Sequence, residues 1–206
     1  MRIVFACLCL VAVAMGAHVS RAASLIVLAD GRSASLGGNP AVTPAPGASL
    51  FHPVLTDAFR VVEQDTTLSA DSFSGKGYVS GEPGCCDSST NVFDVSFTVD
   101  SRTAFSLTTD IGSTLPSPAP TAYLSDSTGA VTSFPSGSPS VEFSSLTGTF
   151  DPAVQYRLVF SIQDFYGEIP QVWQFSLALP EPSATTLAGL VCLALAGLGR
   201  FAWATP

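Results

Sequence analysis

Few residues of this chain have the chemistry for catalysis or metal binding, and their spacing limits what they can do. Histidine occurs twice, at His18 and His52. His18 falls in an apolar leader, so His52, just before Pro53, has no second histidine with which to hold a metal. A Ser-His-Asp triad would call for a nucleophile elbow, and no Gly-x-Ser-x-Gly occurs. Paired carboxylates could hydrolyse a glycosidic bond, with Asp164 and Glu168 as candidates in a turn-rich segment. With sixteen acids in the chain some such pair is inevitable, so the pair is not diagnostic. Loop oxygens at Asp126-Ser127-Thr128-Gly129 and Asp164 to Glu168 suit calcium better than any softer metal. Neither has the spaced Asp-x-Asp pattern, and solvated turn aspartates explain both more simply. The expectation is a noncatalytic chain with no cofactor, calcium being a weak candidate.

Cysteine chemistry is confined to one place. Cys7 and Cys9 lie in the leader and Cys192 in an apolar tail, leaving the adjacent Cys85-Cys86 after the turn sequence Glu82-Pro83-Gly84. With no third cysteine in this central region, a long-range bridge within it has no partner. A vicinal disulfide ring, favoured in an oxidising compartment, and free or intermolecular thiols both remain open. Exposed aromatics near the last loop, Phe165 and Tyr166, are candidate glycan contacts. Trp173 stands beside them, but on an alternating strand it reads as a core residue.

The elements that must position these groups are strands. Phe93, Val95, Phe97 and Val99 alternate with Asp94, Ser96, Thr98 and Asp100. Tyr156, Leu158, Phe160 and Ile162 make a second run, and Trp173, Phe175, Leu177 and Leu179 a third. Period-two alternation gives each strand one core face and one wet face. Shorter runs at Ser24–Ala29, Ala58–Gln64, Ser72–Val79, Ala104–Leu107, Ala122–Ser125, Ala130–Phe134 and Val141–Phe150 read as further strands. Turn residues recur every eight to twelve residues or so, the rhythm of a sandwich or barrel. The fold class expected is all-β, an antiparallel β-sandwich of jelly-roll or Ig-like kind. The last two strands are expected to form a hairpin across Gln163–Pro170, with Phe160 and Phe175 inward. Residues 30 to 56, rich in small residues and proline, read as an extended loop or a partly ordered arm.

Both ends read as addresses. Met1-Arg2, the apolar run Ile3 to Gly16 and the small residues around Ser20-Arg21-Ala22-Ala23 predict a cleaved signal peptide over residues 1–23. At the other end Pro180-Glu181-Pro182 stops the last strand, because proline lacks the ladder donor. An apolar helix from Thr185 to Gly199 follows and ends at Arg200, so residues 180–206 form a tail with a membrane helix. Between them residues 24–179 make one domain. From Asp30 to Glu181 five basic residues face all sixteen acids, a net of −11. A surface so acidic repels phosphate backbones, so nucleic acid is not an expected partner.

The tail resembles that of the PEP-CTERM family, exosortase-sorted proteins of Gram-negative bacteria. The match consists of Pro180-Glu181-Pro182-Ser183, the helix to Gly199, and a basic cluster represented here by Arg200 alone. Phe150-Asp151-Pro152 with Tyr156-Arg157-Leu158, and Ala29-Asp30-Gly31-Arg32-Ser33, are similar to segments of the same group. The resemblance implies processing by signal peptidase and by an exosortase that cuts near Pro-Glu-Pro. It implies a transient inner-membrane anchor through the tail, then release at the cell surface or outside it, in bacteria that make extracellular polysaccharide. The functional expectation is a noncatalytic surface or matrix protein, structural or adhesive in the exopolysaccharide layer or biofilm. A carbohydrate-binding module of the same layer is the alternative, and a secreted hydrolase a remote one.

Overall fold

The computed structural model describes residues 22–81, 88–113, 120–134, 142–164 and 170–180. Residues 1–21 of the expected signal peptide, Cys85-Cys86, Phe165, Tyr166 and the expected tail from residue 181 lie outside them. The described residues hold thirteen strands and no helix, and none therefore holds a helix long and apolar enough to cross a membrane. A compact unit spans Ala23–Leu179.

The strands are β1 (Leu25–Asp30), β2 (Ser33–Ser35), β3 (Leu50–Phe51), β4 (Val54–Thr56), β5 (Arg60–Leu68), β6 (Ser72–Gly81) and β7 (Ser89–Val99). Then come β8 (Thr103–Ser113), β9 (Thr121–Asp126), β10 (Val131–Ser133), β11 (Glu142–Phe150), β12 (Tyr156–Asp164) and β13 (Gln171–Ala178). They form two sheets in which every pairing is antiparallel. The six-stranded sheet runs β1-β7-β12-β9-β10, with β2 also on β7. The seven-stranded sheet runs β11-β8-β13-β6-β5-β3, with β4 also on β5.

The alternating runs bury one face each, and the two inner faces share one core. Phe93, Phe97 and Phe160 come from the six-stranded sheet; Phe73, Trp173, Phe175 and Leu177 come from the seven-stranded one. Phe160 stacks on Phe175 across the interior at 4.5 Å and 3° between planes, and Phe73 meets the edge of Phe97 at 5.2 Å. Aromatic pairs across the gap bind the sheets beyond simple burial, by about 0.5–1.5 kcal/mol each. Two amides add polar links between sheets. Gln64 Nε2 donates to the Val92 carbonyl at 3.0 Å, and Asn91 Nδ2 donates to the Glu63 carbonyl at 2.6 Å.

Two expectations are corrected. β12 and β13 are not a hairpin: β12 lies between β7 and β9, and β13 between β8 and β6, in the other sheet. Phe160 and Phe175 do face inward, but toward each other from opposite sheets. Alternation fixes which face is buried and leaves open which sheet receives the strand. The stretch from 30 to 56 is also no loose arm. It carries β2, β3 and β4, and Arg32 holds it. That side chain is fully buried, donates from Nε and Nη2 to Asp30 at 2.9 and 2.6 Å, and reaches Thr66 Oγ1 at 3.2 Å. It also bonds the carbonyls of Ala48 and Ser49 and lies 5.8 Å from the centre of the Phe51 ring. A guanidinium can be buried here because its fork of donors is occupied by one carboxylate, a hydroxyl and two carbonyls.

Candidate functional site

Alternation on β5, β6, β13 and β8 sends every second side chain outward, and the register lines these up in rows across four strands. One row runs Glu63, Tyr78, Val172 and Gly112. The next runs Asp65, Lys76, Gln174 and Asp110, and a third Thr67, Ser74, Ser176 and Thr108. Adjacent strands stand about 4.8 Å apart, so each row spans roughly 14 Å. The outside of the seven-stranded sheet is thus a plate of hydroxyls, an amide and charges, with Tyr78 and Val172 as an apolar strip.

Two hollows lie on this plate. The larger, of about 370 Å³, is bordered by Glu63, Lys76, Tyr78, Asp110, Val172 and Gln174, with the chain at Gly77 and Trp173 between them. The smaller, about 260 Å³, adjoins it through Lys76 and Gln174 and is bordered by Asp65, Thr67, Ser74 and Ser176. Sizes of this order suit a small ligand or part of a polymer.

The floor is held rigidly from inside. Gly77 pairs with Trp173 and Gly75 with Phe175, each glycine lying under an aromatic ring of β13. A Cβ on Gly75 would sit 2.6 Å from Thr66 Cγ2 and 3.2 Å from the Phe175 ring, and one on Gly77 would press well inside contact with the indole. Only glycine leaves room for those rings. Asn91, donating to the Glu63 carbonyl, fixes the outermost of the four strands from below.

Charge on the plate is incompletely paired. Lys76 Nζ is 3.7 Å from Glu63 Oε1, a loose pair with both side chains partly open to water. Asp110 Oδ1 is shielded from solvent and meets no hydrogen-bond donor. The outer face of the six-stranded sheet contrasts with this. There Arg157 donates from Nε and Nη2 to the two Asp94 oxygens at 2.8 and 2.6 Å. That hydrogen-bonded carboxylate raises the Arg157 pKa above its ordinary value.

The other residues singled out from sequence are scattered. His52 is exposed, with Nδ1 3.7 Å from Asp65 Oδ1. Asp126 folds its own turn: Oδ1 accepts from the Thr128 hydroxyl at 2.6 Å, the Thr128 amide at 2.9 Å and the Ala130 amide at 3.1 Å. The Thr128 hydroxyl bond lowers the Asp126 pKa from its ordinary value; desolvation opposes it, and the amides of Ala130, Thr128 and Gly129 add to the lowering. Its oxygen is thus engaged by the protein itself. Among the described residues no group of three or more His, Cys, Asp or Glu side chains is placed to hold a metal ion. Trp173 is fully buried between Phe93, Phe160 and Phe175 and leaves no face for a sugar. Pro180 is exposed at the end of the last described segment. Cys85, Cys86, Phe165, Tyr166, Glu168, Glu181, Pro182 and Arg200 lie outside the described residues.

Glu63, Tyr78, Asp110 and Gln174 were not singled out from sequence. The available signal was weak: polar residues at outward positions of well-formed strands, which any solvated sheet also shows. No known protein-family model and no curated protein matches the chain.

Proposed function

We propose that this chain is a noncatalytic, exported surface or matrix protein, structural or adhesive in an exopolysaccharide layer. Its two ends supply the address: a leader over residues 1–23 and the Pro180-Glu181-Pro182, apolar helix and Arg200 tail. Its middle supplies the contact with the polymer. The observation that carries the reading is the outer plate of the seven-stranded sheet, where hydroxyls, an amide and carboxylates line up over adjoining hollows. Such a surface is matched to a hydrated polymer of hydroxyl groups, not to an apolar ligand.

The fold we assign is a jelly-roll sandwich. Strands β6 to β13 order as β6-β13-β8-β11 in one sheet and β7-β12-β9-β10 in the other. This interleaving supports the jelly roll over the Ig-like arrangement, and jelly rolls recur in lectins. Fold alone assigns no activity, so the reading rests on the plate and the addresses.

Cell fractionation with mass spectrometry of the mature ends tests this. The expected result is a surface or extracellular protein beginning at Ala23 or Ser24 and ending near Pro180-Glu181-Pro182. A cytoplasmic protein with both ends intact would sink the reading. Deleting the gene is expected to change aggregation or matrix composition.

A further inference from the structure

The larger hollow on the seven-stranded sheet has a directional chemistry. Tyr78 and Val172 are register partners, and together they offer an apolar strip. Glu63 pairs with Tyr78 on one side, while Lys76, Gln174 and Asp110 form the adjacent row. A pyranose has the complementary form: an apolar ring face and a rim of hydroxyls that both donate and accept. The ring face fits the strip. Rim hydroxyls supply the donor that Asp110 Oδ1 lacks once that carboxylate turns toward the hollow, and they can both donate to and accept from the Gln174 amide. The smaller hollow shares Lys76 and Gln174 with the larger and continues the polar border through Asp65, Ser74 and Ser176. Two joined hollows on a four-strand plate suit a chain of sugars over a single one.

Charge narrows the class. Glu63, Asp65 and Asp110 outnumber Lys76 on the plate, and the whole chain carries −8. Uronate, sulfate or phosphate groups on a polymer would meet like charge. We propose that this hollow is a binding site for a neutral polysaccharide, with Tyr78 as stacking platform and Glu63, Asp110 and Gln174 as hydroxyl partners. The proposal rests on the surface-layer reading and gives it a site distinct from Phe165 and Tyr166.

Affinity electrophoresis of the full-length chain, in a detergent without a sugar headgroup, tests it with named polymers: a soluble β-glucan and a galactomannan against alginate and polygalacturonate. Retardation by at least one neutral polymer and by neither anionic one is expected. Tyr78→Ala should weaken that binding about tenfold, and Asp110→Ala and Gln174→Ala about three- to tenfold each. Gln174 is exposed, so its variant separates lost binding from lost folding. Thermal unfolding of each variant provides the check. The proposal is overturned if no neutral polymer retards the chain, if anionic polymers retard it equally, or if Asp110→Ala and Gln174→Ala bind as the parent does. Loss of binding in Phe165→Ala or Tyr166→Ala, with the hollow's variants unaffected, overturns it as well. A protein found at the surface yet unretarded removes this site and leaves the surface reading standing; a retarded but cytoplasmic protein does the reverse.

Discussion

On the outside of the six-stranded sheet Arg157 grips Asp94 with two hydrogen bonds, whereas on the outside of the seven-stranded sheet Asp110 keeps an oxygen that meets no donor. Both faces are built from outward residues of alternating strands, and both carry acids, hydroxyls and one tyrosine, Tyr123 on the first and Tyr78 on the second. On the first face the charges satisfy each other. On the second the nearest cation, Lys76, stands 3.7 Å from Glu63 while Asp65 and Asp110 border the adjoining hollows. A face whose polar groups are already paired gains little from a ligand, because every new bond replaces an old one. The incompletely paired face gains more, and that difference marks the proposed site better than composition does.

The largest way to break this contrast is from beneath. Gly77→Ala forces a methyl into the Trp173 indole under the hollow, and thermal or urea unfolding should show a loss of about 3 kcal/mol, the upper part of the range for overpacking. No comparable glycine–aromatic contact lies behind Arg157 among the described residues. Next in size is exchange of the two tyrosines. Tyr78→Ala should weaken neutral-glycan binding about tenfold, while Tyr123→Ala should leave it unchanged in the same gel; equal losses would erase the distinction between the faces. Smaller still is Arg157→Ala. Its pair is half exposed, so the expected cost is at most about 1 kcal/mol and should shrink in high salt.

Smallest is the acid response of the turns outside both faces. Hydrogen bonds from Arg60 and the Phe59 amide lower the Asp57 pKa, and the Ser69 hydroxyl, with further bonds, lowers that of Asp71, as Thr128 does for Asp126. A carboxylate whose folded pKa is depressed stabilises the fold above its unfolded value, here 3.8, and loses that contribution as pH falls through the folded pKa. Stability should therefore hold from neutrality to about pH 4 and decline below it. Asp126→Asn should flatten the decline in acid melts without changing glycan binding.

The long strands were legible because Phe93–Val99, Tyr156–Ile162 and Trp173–Leu179 alternate, with Val159 and Ala178 as the apolar exceptions, and burial of one face is what alternation reports. The core role of Trp173 followed for the same reason. What stayed hidden depends on partners distant in the chain. The choice of sheet for β12 and β13 is set by neighbours, not by either strand's own pattern. β2, β3 and β4 are too short to show a period, and Arg32, an ordinary surface residue by composition, ties the chain at Ala48, Ser49 and Phe51 to Asp30 and Thr66 from inside. The hollow joins Glu63, Tyr78, Asp110 and Gln174, which only the pairing of four strands brings side by side. No local motif marks them.

The central places of β12 and β13 also set a timetable. Until residue 164 has appeared, β7 and β9 have nothing between them, and until residue 178 has appeared, β6 and β8 remain apart. A chain made from its N-terminus therefore has flanking strands without a keystone for most of its synthesis. Val79 waits for Gln171 across a long separation in sequence, a contact pattern that slows folding. Under the export proposed above, in which the chain is threaded through a membrane before it folds, such lateness is an advantage: the fold closes only with its last strands.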